Sequence, residues 1–324
     1  MSPQPSANWR VNYPRHTGHH NHWSGRDIMK KKIGFIGLGI MGKPMAKNLL
    51  KTGYELVVHD IMAAPVQELT AAGAKAGSSP KDVAARSEVI ITMLPNSPEV
   101  REVVLGKNGV IEGVKPGAIV VDMSSIAPLA SQEISARLAE KGALMLDAPV
   151  SGGEPKAIDG TLAIMVGGPE PAFDEVRDIL EKMGASVTLV GGIGSGNVTK
   201  LANQMIVALN IAAVSEAMVL ATKAGVDPEK VYQAIRAGLA GSTVLEAKMP
   251  KILAGDFKPG FRIELHIKDL GNVLDTAHNL GVPIPLTGQV MEIMQALKVD
   301  GKAKNDHSSI VQFYEKLAKV EVRR

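Results

Sequence analysis

Gly34-Phe35-Ile36-Gly37-Leu38-Gly39-Ile40-Met41-Gly42 is the stretch whose reading decides the fold. The G-x-G-x-x-G spacing of Gly37, Gly39 and Gly42 carries weight only in context: a strand before it, a helix after it and an acid about twenty residues on. All three are present. Ile33 to Ile36 reads as a short buried strand, Pro44 to Leu50 continues as a helix that Gly53 can close, and Glu55 to His59 is a second strand leading to Asp60. Gly37 permits the tight turn, Gly39 lets a pyrophosphate approach the backbone, and Gly42 allows close helix–strand packing. Amides around Leu38, Ile40 and Met41 then face the phosphates at the positive end of the helix dipole. Asp60 is placed to accept hydrogen bonds from the adenosine ribose, and Ile61-Met62-Ala63 offers no cation for a 2′-phosphate. The expected cofactor is therefore NAD, with NADH preferred and NADPH as the alternative. A plain glycine turn followed by a solvated Asp is the structural alternative.

Outward from this loop, short β-rich runs alternate with helical segments, as in a doubly wound sheet. The further strands are expected at 89–94, 118–123, 144–149, 162–167 and 186–190. Beyond Gly191-Gly192-Ile193-Gly194-Ser195-Gly196 helical periods and caps take over. Asp227-Pro228 reads as a helix start, Gly238 and Gly281 as stops, Ser242 and Thr287 as further N-caps. The expected fold class is α/β, an N-terminal Rossmann-type doubly wound sheet followed by an all-α domain. The expected divisions are a disordered leader or upstream extension at 1–28, a dinucleotide-binding domain at 29–192, and a substrate and oligomerisation domain at 193–324. A long helix expected at about 198–224 opens the last of these. Its apolar surface is too wide for one neighbour, which points to an interdomain helix extended into a homo-oligomer contact.

Composition narrows the function classes. The 324 residues hold no cysteine, which excludes disulfides, thiolate metal sites and a cysteine nucleophile. Aromatic residues make up 3%, too few for stacking platforms on single-stranded nucleic acid. The net charge is +3, and Arg10, Arg15, Arg26 and Asp27 of the leader account for most of it. The leader lacks the apolar core of a secretory signal. Its His16, His19, His20 and His22 give at most adventitious metal binding, and no metal site is expected elsewhere: His59 and His266 have no metal-like companions. Asn203, Gln204, Asn210, Glu216 and Lys223 interrupt the long helix, against a membrane span. A cytoplasmic protein with no nucleic-acid or membrane partner is the expectation. Ser124 and Ser125 lack the flanking glycines of a nucleophile elbow, and Glu112, Glu133, Glu154 and Asp147 form no pair that sequence alone can join.

Gly196-Asn197-Val198-Thr199-Lys200-Leu201-Ala202 places one lysine in what reads as the opening turn of the long helix. An exposed lysine is the bland alternative, although cations are disfavoured at that dipole end. Asp147-Ala148-Pro149-Val150-Ser151-Gly152-Gly153-Glu154-Pro155-Lys156-Ala157, Phe257-Lys258-Pro259-Gly260-Phe261-Arg262-Ile263 and Lys268-Asp269-Leu270 complete a set of separated motifs. In that order, and from Met29 onward, the chain resembles the β-hydroxyacid dehydrogenases, the family of 3-hydroxyisobutyrate and 6-phosphogluconate dehydrogenases. The resemblance implies that Lys200 is catalytic, that Ser151, Gly152 and Gly153 hold a small carboxylate substrate, and that Lys268 lies at the cofactor–substrate junction. It also implies that the loop Met93-Leu94-Pro95-Asn96 and the turn at Ser125 touch the cofactor.

Such a family implies reduction of a short oxo acid, here 2-hydroxy-3-oxopropanoate to glycerate, with 3-hydroxyisobutyrate or another short β-hydroxyacid as the alternative. A dinucleotide-binding protein without chemistry is the non-enzymatic alternative. Reduction needs a proton for the developing alkoxide, and a lysine whose pKa is lowered by the helix terminus and by Lys268 can supply it. The family usually carries Asn four residues after the lysine, whereas here Asn203 stands at three and Gln204 at four. Both lie on the lysine's face; Asn203 is favoured as the substrate-hydroxyl partner, Gln204 is the alternative, and a buried helix-pairing amide is the structural one.

Overall fold

The computed structural model describes residues 31–323; the leader at 1–28 lies outside them. The first part of the chain runs β1 (Ile33–Ile36), α1 (Gly42–Lys51), β2 (Leu56–His59), α2 (Ala63–Ala71), β3 (Lys75–Ala76), α3 (Pro80–Ala85), β4 (Val89–Thr92), α4 (Ser97–Leu105), β5 (Ile119–Asp122) and α5 (Pro128–Ala139). It continues with β6 (Leu144–Asp147), β7 (Val150–Ser151), α6 (Gly153–Asp159), β8 (Leu162–Gly167), α7 (Glu170–Leu180) and β9 (Gly184–Gly191). The sheet order is β3-β2-β1-β4-β5-β6-β8-β7, with β9 beside β8. Strands β1 to β6 are parallel, and the direction reverses between β6 and β8 and between β8 and β7.

Parallel strands covered on both faces need apolar side chains on both. Phe35, Val58, Ile91, Val121 and Leu146 fill one side with Leu49 and Phe173; Ile36, Val57, Ile90, Val120 and Met145 fill the other with Val104 and Ile134. Two strands carry no such pattern and were not expected from the sequence. β3 is two exposed residues and β7 is the two-residue start of the Ser151 turn. This is a Rossmann-like dinucleotide-binding domain, and a helical domain follows it.

The helical part comprises α8 (Ser195–Lys223), α9 (Pro228–Ile235), α10 (Thr243–Ala254), α11 (Ile263–Leu280), α12 (Pro285–Leu297) and α13 (Val311–Ala318). Asp227 and Ser242 cap their helices through side-chain oxygens. Gly281 closes α11 in the left-handed region. Thr287 is no cap: α12 starts two residues earlier with Pro285 in its first turn, where a missing N–H costs nothing. α9 stops at Ile235, ahead of Gly238.

α8 is 29 residues long and begins at Ser195, not 198. Lys200 therefore sits in its second turn. The glycine-rich segment is recruited into the helix because the buried Asp147 carboxylate, at the end of β6, accepts hydrogen bonds from the Gly194 amide (2.6 Å) and the Asn197 amide (2.7 Å). A Cβ on Gly196 would collide with the carbonyl of Met165, so only glycine allows this approach. α8 is long and apolar enough to cross a bilayer by length and composition; within the fold, Leu201, Ala208 and Ile211 pack with α11 and α12, while Met218 and Val219 pack with α9 and α10.

Candidate active site

In a sheet of this order ligands bind outside the carboxyl ends of the strands, at the switch between β1 and β4. The glycine loop follows β1, Asp60 follows β2, Met93 to Asn96 follow β4, Ser124 and Ser125 follow β5, and Ser151 follows β6. The carboxyl end of the sheet thus collects the cofactor- and substrate-binding residues named from the sequence in the first domain.

The dinucleotide loop fits its group. A Cβ on Gly42 would collide with the Gly37 carbonyl, whereas nothing lies within 4 Å of the equivalent position on Gly39, so that side of the loop is open to a pyrophosphate. Asp60 accepts hydrogen bonds from the amides of Leu38 (2.6 Å) and Met62 (2.7 Å), which fixes its carboxylate across the loop. Leu38, Gly39, Ile40, Asp60 and Met62 line a groove of about 800 Å³, with Lys43 and Lys47 on its α1 wall. Both lysines pair with Glu68.

Behind the β4 and β5 loops lies a buried acid, Asp122, that no sequence motif marks. Asp122 accepts hydrogen bonds from Thr92 (2.7 Å) and the Ser124 hydroxyl (2.6 Å), and the Ser124 oxygen accepts one from the Leu94 amide (2.9 Å). Ser124 is therefore consumed by structure, and Ser125 offers its carbonyl. Burial raises the Asp122 carboxyl to about 6, against the pull of those hydroxyls. Asp122 pairs in register with Asp147 on β6, so Asp147 has an acid neighbour across the sheet that is none of Glu112, Glu133 and Glu154. Burial raises Asp147 to about 7; the amides of Asn197 and Gly194 oppose the rise and Asp122 adds to it. Asn197, also buried, receives the Ile126 amide and donates to Ser131, tying α8 to the β5 loop.

Lys268 joins the two halves of the molecule. From α11 its ammonium donates to the carbonyls of Ser125 (2.8 Å) and Pro95 (3.1 Å) and pairs with Asp269 at 2.9 Å. Lys200 is 7% exposed. Its pKa is lowered to about 8, chiefly by burial; Asp269 opposes the shift and Lys268 adds to it. Lys268 lowers it as expected from the sequence, but desolvation, not the helix terminus, is the main cause.

Ser151 and Asn203 meet across the domain boundary, with Oγ 3.5 Å from Oδ1. Asn203 donates to Gln204 (2.9 Å), and Gln204, buried, donates to Asp269 (2.5 Å). Gly152, with φ of 140°, and Gly153 start α6 beside them. His266 is a core residue: it contacts His307 and the Gln204 carbonyl. His59 contacts the Gly77 carbonyl. Glu112 and Glu133 are surface partners of Lys81 and Arg101, and Glu154 lines the groove. Among the described residues no cluster of three metal-binding side chains occurs.

A family model described as the NAD binding domain of 6-phosphogluconate dehydrogenase matches residues 32–192, and one described as NAD-binding of NADP-dependent 3-hydroxyisobutyrate dehydrogenase matches residues 194–314. A 2-hydroxy-3-oxopropionate reductase of Escherichia coli (strain K12) is 45% identical over 288 residues, covering 89% of this chain and 98% of that protein. A 2-(hydroxymethyl)glutarate dehydrogenase of Eubacterium barkeri is 40% identical, covering 90% and 97%. The solved structure of Mycobacterium tuberculosis 3-hydroxyisobutyrate dehydrogenase with L-serine is similar with a TM-score of 0.82 at 32% identity, covering 88% of this chain and 99% of that one.

Proposed function

The chain belongs to the β-hydroxyacid dehydrogenase family of NAD(P)-binding oxidoreductases, and from that premise we propose that it reduces 2-hydroxy-3-oxopropanoate to glycerate with NADH. The observation that carries this reading is the buried Lys200 beside the Lys268–Asp269 pair. The glycine loop and Asp60 would hold the dinucleotide, whose nicotinamide end, reaching along the β4 and β5 loops toward Lys268, would supply the hydride. Lys200 gives its proton to the oxygen of the reduced carbonyl and is left neutral, a state that its burial already favours. Ser151, Gly152 and Gly153 hold the carboxylate, Asn203 the hydroxyl, and Lys268 keeps the β4 and β5 loops against the helical domain. The division falls between Gly192 and Ile193. The same reading gives a cytoplasmic homo-oligomer that associates through its helical domain and has no nucleic-acid or membrane partner.

A pocket lined by these polar groups favours a substrate that satisfies them. A methyl-branched acid would leave one of them buried and unpaired, at a cost of roughly 1–3 kcal/mol. Tartronate semialdehyde is therefore expected to exceed methylmalonate semialdehyde by about tenfold or more in kcat/KM. Assays of both aldehydes with reduced cofactor, read by absorbance, decide it; equal or reversed values move the chain to the 3-hydroxyisobutyrate branch, the activity for which the Mycobacterium tuberculosis relative is named.

Cofactor choice is tested separately. Asp60 would face a 2′-phosphate with like charge, while Lys43 and Lys47 are engaged by Glu68. Even in bulk water two unit charges at 4 Å cost about 1 kcal/mol, so NADH is expected to surpass NADPH by about fivefold or more in specificity constant. A preference for NADPH would mean that a lysine leaves Glu68 for the phosphate.

A further inference from the structure

Four polar side chains form a directed chain between the two domains, and its direction is set by charge. Asp269 is paired with Lys268, and an ionised carboxylate only accepts hydrogen bonds. Gln204 must therefore turn its NH2 to Asp269, at 2.5 Å, and its carbonyl to Asn203. Asn203 in turn gives its NH2 to Gln204 at 2.9 Å and is left with its amide oxygen toward Ser151. The 3.5 Å between that oxygen and the Ser151 hydroxyl is long for an O–H···O bond. The oxygen thus keeps accepting capacity for another donor.

We propose that Gln204 is a positioning residue for substrate selection: it transmits the polarity of the Lys268–Asp269 pair to Asn203, whose amide oxygen then accepts a hydrogen bond from a hydroxyl next to the substrate carboxylate. The inference rests on the hydroxyl-bearing substrate proposed above and adds the reason for it. An amide free to rotate could offer NH2 or oxygen to the pocket and would discriminate poorly. Here the NH2 group is already engaged by Gln204, so a substrate donor is rewarded and a methyl group is not. Gln204 itself is 5% exposed with both ends of its amide engaged, so it acts through Asn203. Asn at this position would be one methylene shorter and would not span from Asp269 to Asn203.

The test is a double-mutant cycle on substrate preference, because groups in one network couple and independent ones add. The ratio of kcat/KM for tartronate semialdehyde over methylmalonate semialdehyde is measured in the native protein, in Gln204→Met, in Asn203→Ala and in the double variant. Gln204→Met is expected to lower the ratio about tenfold, mainly through a rise in KM for the hydroxyl-bearing aldehyde. In the Asn203→Ala background the same substitution should change the ratio by less than about twofold. An unchanged ratio in Gln204→Met, or an equal change in both backgrounds, overturns the proposal. Gln204→Asn, which keeps an amide but loses the span, is the second probe, and a native ratio in it also overturns the proposal. If the native protein prefers the methyl compound, the proposed function falls, and the coupling between positions 203 and 204 still decides the role of Gln204.

Discussion

Lys200→Ala lowers kcat for aldehyde reduction by about a hundredfold or more, the usual scale for loss of a general acid, and leaves NADH affinity unchanged. The lysine lies on α8, away from the glycine loop and Asp60 that define the dinucleotide groove, so binding and chemistry separate at this residue. Its lowered pKa adds a second signature. Reduction needs the ammonium form, so in the native protein the rate holds below pH of about 8 and falls as pH rises through it; oxidation of the hydroxy acid needs the neutral amine and rises through the same window. The alanine variant should lack this limb in both directions. Turnover within a few-fold of native, or a limb at pH 8 that survives the substitution, removes Lys200 from the mechanism.

Asp147→Ala is expected to reduce unfolding free energy by about 2–4 kcal/mol at neutral pH. The carboxylate caps the start of α8, and its loss leaves the buried amides of Gly194 and Asn197 without an acceptor, at roughly 1–3 kcal/mol each. Two effects oppose this: the variant no longer buries a charge, and Asp122 loses a like-charged neighbour. Both are moderated because a carboxyl held near 7 can take up a proton. The orphaned amides therefore dominate. Urea unfolding followed by circular dichroism checks it, with the midpoint falling at constant m-value; an unchanged midpoint would show that the α8 start is held by other means.

The parts of the fold that were legible in the sequence are those written in local pattern. β1 was read at its bounds because an uninterrupted apolar run ends at a glycine turn. The Asp227 and Ser242 caps were read because a single side chain makes each of them. The start of α8 was misplaced because its determinant, Asp147, lies 47 residues from the Gly194 amide it receives; the glycines at 192, 194 and 196 read locally as loop. The β3 and β7 strands were missed because two residues hold no period. At the candidate site, spacing along α8 put Lys200, Asn203 and Gln204 on one face, but which amide turns outward depends on Asp269, 65 residues on from Gln204. Asp122 and Asp147 could be joined only once the strand order was known.

The chemistry-bearing side chains ride on separate elements: Asp60 after β2, Ser151 on β7, Lys200 on α8 and Lys268 on α11. Substitutions at sites well apart add almost independently, so on the roles proposed above a change of cofactor preference at Asp60 would leave proton delivery by Lys200 undisturbed. Asp269 is the exception. It touches Lys268 and Gln204 and its charge acts on Lys200, so on the roles proposed above a substitution there would alter acidity and selectivity together, whereas one at either amide would alter selectivity alone.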